Sequence, residues 1–155
     1  MRAWQYTTNS GPLEKRLKLN ITAAVPQPKP TQHLVRIVSV ALNPVDFKPA
    51  DVSIVSRLMI RKPATPGIDF AGYIVKPADG SSLKPGQAVF GCAVSSPFAG
   101  GALREFATTE TATTVAIPEG LSITDACTIG VAGETAYQTL VPKLKAGQKV
   151  FINGG

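Results

Sequence analysis

The chain has 155 residues, with 16 basic and 10 acidic side chains and a formal net charge of +6 at pH 7. Apolar residues make up 44% of it and charged residues only 17%, which excludes a disordered, highly charged chain. It has neither a glycine repeat nor a sustained heptad, so collagen-like and coiled-coil structures are also excluded. The 13 prolines and 14 glycines favour short strands joined by turns over long helices.

Seven short strands are predicted in the first 120 residues, each rich in apolar or β-branched residues and bounded by turn residues. They are Ala3–Thr7, Leu17–Val25, His33–Leu42, Ile68–Val75, Ala88–Gly91, Arg104–Thr108 and Thr113–Ile117. Residues 44–60 are predicted to be a broken helix, with Asn43 capping a first turn that begins at Pro44. Seven short strands separated by turns indicate a barrel or a sandwich.

The pattern becomes helical after residue 121. Ser122, with Asp125 three residues later, predicts the capped start of a helix that runs to Ile129. Residues 130–133 begin and end with glycine, which predicts a break in the helix. A second helix is predicted from Glu134 to Val141.

The last apolar segment, Gln148–Ile152, is predicted to be a strand that runs directly into Asn153-Gly154-Gly155. An apolar strand followed by glycines is typical of the first strand and turn of a nucleotide-binding βαβ unit. The sequence therefore predicts two parts. Residues 1–121 form one domain, and residues 122–155 form a helical linker and the first strand of another.

The two cysteines, Cys92 and Cys127, are 35 positions apart, which fits neither a disulfide framework nor a zinc cluster. Buried free thiols in a reducing compartment are expected. The N-terminus has no apolar signal core, and no window approaches 18 continuous apolar residues. These features predict a cytoplasmic protein with no membrane partner.

The positive charge is uneven, because residues 1–62 hold 10 basic and 3 acidic groups. These lysines and arginines are scattered among prolines and strand residues, with few aromatic residues between them. A solvated basic face is therefore the favoured interpretation, with attraction of an anionic small molecule as the alternative. No nucleic-acid partner is expected.

Five segments carry a recognisable order and spacing: Ala41–Asp46, Pro66–Gly72, Leu83–Gly91, Gly100–Phe106 and Gly133–Tyr137. Together they resemble the N-terminal GroES-like catalytic domain of the medium-chain dehydrogenase/reductase superfamily. The likeness extends over essentially the whole chain and is strongest to the zinc-independent quinone oxidoreductase and enoyl reductase branch, particularly its fungal members. It implies a mainly β, GroES-like barrel with short helices, followed by a C-terminal helix pair and the first strand of a Rossmann domain that is cut off at its glycine turn.

The resemblance also implies a function for the parent protein. Hydride transfer from NADPH to an enone, an enoyl compound or a quinone is expected, with the nicotinamide cofactor supplying the chemistry. The 155-residue part alone is expected to be inactive and to bind NADPH only weakly. Its exposed C-terminal strand is expected to favour self-association.

Zinc-dependent relatives supply a cysteine after the third strand, a histidine after the next Pro-Gly pair and a further cysteine or acid later. The matching positions here hold Asn43 or its neighbours, Ile68 and Val131, whose side chains are not zinc ligands. No metal is therefore expected. The only histidine, His33, is predicted to be a surface or strand-start residue rather than a ligand.

Three residues are predicted to act in catalysis and to contact the cofactor: Asn43, Lys48 and Thr135. Val131 and Gly155 are predicted as further cofactor-binding residues, Gly155 as the first glycine of the cofactor turn. The structural alternatives are a simple cap for Asn43, an exposed helix lysine for Lys48 and a capping hydroxyl for Thr135.

Two nearby acids are interpreted as structural. Asp46 is expected to hold the turn or to pair with Lys48, and Asp69 is expected to accept hydrogen bonds from the backbone near the cleft. The alternative for the whole chain is a non-enzymatic GroES-like binding or co-chaperonin module. Such a module needs neither the Gly133–Tyr137 segment nor the terminal glycine pair.

Overall fold

The structure is a computed structural model that describes residues 1–8, 11–48, 60–93 and 100–153. It is mainly β, with a curled half-barrel sheet and a few short helices, as the sequence predicts. The strands are β1 (Ala3–Gln5), β2 (Lys18–Asn20), β3 (Gln32–Ala41), β4 (Asp69–Lys76), β5 (Ala88–Cys92), β6 (Phe106–Glu110) and β7 (Thr114–Ala116). The helices are α1 (Leu13–Arg16), α2 (Ile123–Ala126) and α3 (Glu134–Leu140), with short 3-10 turns at Pro44–Asp46 and Thr111–Thr113.

The main sheet has five antiparallel strands in the order β6-β3-β4-β5-β7, and β1 pairs with β2 in a separate ribbon. β4 lies at the centre and is buried on both faces. Phe70 and Ile74 belong to the main core, and Ala71 packs on the other face against Ala126 and Cys127 around α2. This double burial explains the nearly continuous apolar sequence of β4.

The backbone of β3 passes very close to Gly72 in β4. A Cβ atom at this position would overlap the carbonyl oxygen of Arg36 in β3. The register between β3 and β4 also shifts between Ile37 and Ser39. Glycine is therefore required here for space, and the irregularity bends β3 toward its C-terminal end.

The C-terminal part departs from the sequence prediction in two places. Ile129–Gly133 is a turn of π-helix rather than a break, and it continues directly into α3. Gln148–Ile152 is not a strand, because no neighbouring strand within the described residues offers it a hydrogen-bonding partner. Phe151 is 89% exposed. Self-association through this segment stays a prediction.

Other predictions are confirmed or lie outside the described residues. Ser122 caps α2 by accepting a hydrogen bond from the Asp125 amide at 3.0 Å. Most of the second half of the broken helix predicted for residues 44–60 lies outside the described residues. In the described part of the chain, no helix has the length and apolar character needed to cross a membrane.

His33 lies at the start of β3, as predicted, but it is fully buried rather than at the surface. Its Nδ1 atom accepts a hydrogen bond from the Ala78 amide at 2.9 Å, so the ring proton sits on Nε2. Burial lowers the pKa of His33 below its usual 6.5. Protonation would place two N–H groups against each other in a buried site.

We expect the free energy of unfolding to fall as the pH drops below about 6.5, because the unfolded chain then binds a proton that the folded chain excludes. The free energy of unfolding keeps falling until the pH reaches the lowered pKa that His33 has in the folded chain. Above pH 6.5, His33 is neutral in both the folded and the unfolded chain and costs no stability. Urea unfolding at pH 8 and pH 5.5 measures it. His33→Asn keeps an acceptor for Ala78 without a titrating group, so it should lose less stability between these pH values. An equal loss in both proteins would contradict the assignment.

Candidate active site

Asp69, the first residue of β4, is fully buried and lies at the centre of a polar cluster. Its carboxylate accepts hydrogen bonds from the Asn43 side-chain Nδ2 at 2.9 Å and from the Val131 backbone amide at 2.9 and 3.0 Å. The Cys92 thiol donates to the Asp69 Oδ1 atom at a longer distance of 3.5 Å. We refer to these four residues as the Asp69 cluster.

The sheet brings the cluster together. Asp69 pairs with Ala41 on β3 and with Cys92 on β5, so the end of β3, the start of β4 and the end of β5 meet at one edge. Asn43 follows β3 by two residues, and the π-helical turn delivers Val131 from the other side. The buried carboxylate thus joins Asn43, which lies 26 residues before it in the sequence, to Val131, which lies 62 residues after it.

Gly130 is required by the same arrangement. A Cβ atom at Gly130 would overlap the Asp69 Oδ1 atom, so only glycine allows the helical backbone to approach the carboxylate this closely. The small-residue turn Gly130–Gly133 thus permits a close approach to its backbone. The group that approaches the backbone here is Asp69.

Asp46 holds the turn between β3 and the following segment, as the sequence predicts. Its carboxylate accepts hydrogen bonds from the backbone amides of Asn43 at 2.7 Å, Ile68 at 2.8 Å and Gly67 at 3.2 Å. Burial raises the pKa of Asp46, and the three backbone hydrogen bonds oppose this rise. The alternative pairing with Lys48 is not formed, since Lys48 is exposed and makes no ion pair within the described residues.

Cys92 is the member of the cluster that the sequence interpretation missed as a functional candidate. It is partly exposed rather than buried, whereas Cys127 is buried as expected. Burial, followed by the negative charge of Asp69, raises the pKa of Cys92 to about 12, so the thiol keeps its proton at neutral pH. The pairing of two strand ends across β4 and β5 could have placed it beside Asp69.

A cleft of about 530 Å³ opens beside the cluster. It lies between β5, the segment before β7 and the helical C-terminal part, and its lining includes Phe90, Cys92, Gly130, Glu134 and Tyr137. The walls are mostly apolar, and Glu134 is the one acid among the described residues that line the cleft. A flat or aliphatic group with few polar atoms suits such a surface.

The structure brings together two of the five predicted site residues, Asn43 and Val131. The Asp46 amide donates to the Asn43 main-chain oxygen at 2.9 Å, and the Asn43 side-chain Nδ2 donates to Asp69. Thr135 is exposed on the first turn of α3, and Lys48 is exposed after the 3-10 turn. Gly155 lies outside the described residues.

The donor set at this place does not fit zinc. The positions matched to metal ligands hold an amide side chain committed to Asp69, an isoleucine and a valine whose backbone N–H donates. None offers the thiolate or imidazole that zinc requires. Within the described residues, no group of three histidine, cysteine or acidic side chains is placed to hold a metal ion.

The model of the alcohol dehydrogenase GroES-like domain matches residues 29–119. The chain therefore belongs to the alcohol dehydrogenase GroES-like domain family, which confirms the resemblance seen in the sequence. It is 40% identical to a trans-enoyl reductase of Aspergillus terreus, a match that covers 100% of this chain and 47% of that protein. It is 31% identical to a chloroplastic NADPH-dependent alkenal/one oxidoreductase of Arabidopsis thaliana, covering 100% and 41%.

The fold is also similar to the solved structure of a quinone oxidoreductase from Coxiella burnetii. The TM-score is 0.79 at 28% sequence identity, and the match covers 89% of this chain and 43% of that one. The chain thus spans less than half the length of each of these three proteins.

Proposed function

We propose that the chain is the substrate-side part of a zinc-independent reductase that transfers hydride from NADPH to an activated double bond or a quinone. The observation that carries the proposal is the Asp69 cluster. Where a metal-dependent relative needs three ligands, this chain has a buried carboxylate that ties together an amide side chain and a backbone N–H. The names of the similar proteins, all of them reductases or oxidoreductases, support an enzyme over a non-enzymatic GroES-like module.

The residues present fit a nicotinamide cofactor in their chemistry. Asn43 uses one N–H for Asp69, which holds the amide in a fixed orientation and leaves its second N–H as a donor. The exposed Thr135 hydroxyl and Lys48 ammonium add a neutral and a charged donor. When bound, NADPH supplies the hydride.

In this proposal each residue has a defined task. Asn43 and Thr135 bind and orient the nicotinamide ring, and Val131 contacts it through the small-residue turn. Lys48 stabilises negative charge on the cofactor or on the reduced substrate, in place of a metal. Gly155 begins the cofactor turn. Residues 1–121 would then be the substrate domain and 122–155 the start of the cofactor domain, in a cytoplasmic protein.

Metal content tests the zinc-independent part of the proposal. We expect the complete product of the gene, purified without a metal-binding tag, to contain far less than one zinc per chain and to keep its activity in the presence of chelators. The assay follows oxidation of NADPH with an enone, an enoyl thioester and a quinone as alternative substrates, and NADH as the alternative cofactor. Near-stoichiometric zinc, or loss of turnover on chelation, would contradict the proposal.

Replacing Thr135 with valine tests the cofactor contact. The change keeps the shape of the side chain and removes its hydroxyl, so a lost hydrogen bond to the bound ring should cost about 1–3 kcal/mol. This corresponds to a reduction in kcat/KM of roughly ten- to a hundredfold. Thr139→Val, on the same exposed helix, is the matched control and should leave kcat/KM unchanged. Equal kcat/KM values for the two variants would remove Thr135 from the site.

A further inference from the structure

The cleft beside the Asp69 cluster is built from a part of the chain that is poor in positive charge. Residues 88–142 contain five acidic side chains and a single basic one, Arg104, which does not line the cleft. The described residues that line it include no lysine, arginine or histidine. The net positive charge of the chain is therefore carried by other segments, and the segment that forms this cleft has a net negative charge.

Glu134 adds an uncompensated negative charge to the wall of this cleft. It lies three residues before Tyr137, so both belong to one face of α3, and both line the cleft. Its carboxylate accepts a hydrogen bond from the Gln138 Nε2 atom at 2.9 Å and forms no ion pair within the described residues. The charge of Glu134 is thus oriented by a neutral partner and balanced by none.

The charge of Glu134 also acts on the wall formed by β5. Phe90 and Cys92, two residues apart in β5, line that wall. Burial is the main cause that raises the pKa of Cys92 to about 12, and the negative charges of Asp69 and then of Glu134 raise it further. An anionic group placed between these walls would meet the same two carboxylates, among mostly apolar side chains.

We propose that this cleft selects substrates by charge: it accepts an apolar body that is cationic or neutral and rejects an anionic one, with Glu134 as the specificity-determining residue. A like charge beside an unpaired carboxylate is unfavourable, and it discriminates against the wrong substrate. A cation gains twice, because Glu134 attracts it and because it can lie over the rings of Phe90 and Tyr137. The inference rests on the proposed reductase function, which makes this cleft the substrate site.

Three substrates of similar size test the selection: the para-carboxylate, para-methyl ester and para-trimethylammonium derivatives of benzalacetone. Oxidation of NADPH by the complete gene product measures kcat/KM for each. The ester should exceed the carboxylate by about tenfold or more, and the trimethylammonium compound should match or exceed the ester. Raising the salt concentration from about 20 mM to about 300 mM should narrow the difference between carboxylate and ester, because salt screens the repulsion.

Glu134→Gln assigns the effect to one carboxylate. Glutamine keeps the oxygen that accepts from Gln138 and removes only the charge. The variant should raise kcat/KM for the carboxylate about threefold or more and leave the ester within about twofold, a modest change because Glu134 is exposed to solvent. Glu119→Gln is the matched control, since Glu119 is an exposed glutamate that does not line the cleft, and it should change neither value.

Binding separates this inference from the reductase function. Calorimetry with the corresponding benzylacetone derivatives, which have no double bond to reduce, measures charge selection without turnover. If no benzalacetone derivative is reduced but the ester analogue binds more tightly than the carboxylate, the reductase proposal fails and the charge selection stands. If nothing is reduced and no analogue binds, both are wrong.

Three results would overturn the selection by Glu134 while leaving the reductase function intact. They are equal kcat/KM values for ester and carboxylate in the parent protein, an unchanged ratio of the two in Glu134→Gln, and a change in Glu119→Gln as large as that in Glu134→Gln.

Discussion

Replacing Asp69 with asparagine is expected to lower the free energy of unfolding by about 2–4 kcal/mol. The carboxylate accepts from Asn43 on one side and from Val131 on the other, so both oxygens act as acceptors. Asparagine has one acceptor oxygen, so its NH2 group takes the place of the oxygen that accepts from Asn43 or from Val131. In a fully buried site no water can replace the lost bond.

Urea unfolding followed by circular dichroism measures this change. Asp79→Asn is the matched control, because Asp79 is exposed and its side chain makes no hydrogen bond within the described residues. The control should stay within about 0.5 kcal/mol of the parent chain. In the complete gene product, Asp69→Asn should also lower kcat, since it releases Asn43 and the turn at Val131. A stability equal to that of Asp79→Asn would refute the central role of Asp69.

The strands were predictable because their signals are local. β-branched residues and turn residues alone place six of the seven described strands within two residues of their observed bounds, whereas the second strand ends at Asn20 rather than at the predicted Val25. The capped start of α2 at Ser122 was predictable for the same reason. So was the role of Asp46 in holding its turn, since one of its partners, the Asn43 amide, lies only three residues away. Asp69 was predicted as a backbone acceptor because an acid inside an apolar strand must be satisfied.

The rest depends on contacts that no local pattern records. The π-helical turn at Ile129–Gly133 donates a backbone hydrogen bond to Asp69, a long-range contact that the sequence does not show. Its two glycines, taken locally, predict a helix break. Cys92 joins the cluster only through the register of β4 and β5. Gln148–Ile152 has the composition of a strand, but a strand also needs a neighbour, which the described residues do not provide.

Gly130→Ala is expected to have the second large effect. In a helical turn a change from glycine to alanine ordinarily stabilises by about 0.4–1 kcal/mol, because it restricts the unfolded chain. At Gly130 the new methyl group would overlap the Asp69 Oδ1 atom, and this oxygen cannot move freely because it is hydrogen-bonded to Val131. Forcing the two apart should cost about 1–3 kcal/mol, so the net change is destabilising.

Gly133→Ala is the control from the same turn, since a methyl group there would lie 3.1 Å from the Ile129 Cγ2 atom, an apolar contact that does not involve Asp69. We expect this variant to keep the parent stability to within about 0.5 kcal/mol. If Asp69 positions Asn43 and Val131 for hydride transfer, Gly130→Ala should also lower kcat by about tenfold or more, because a displacement near 1 Å is enough for such a loss. Similar stability and kcat in the two variants would mean that contact between the turn and Asp69 does not organise the site.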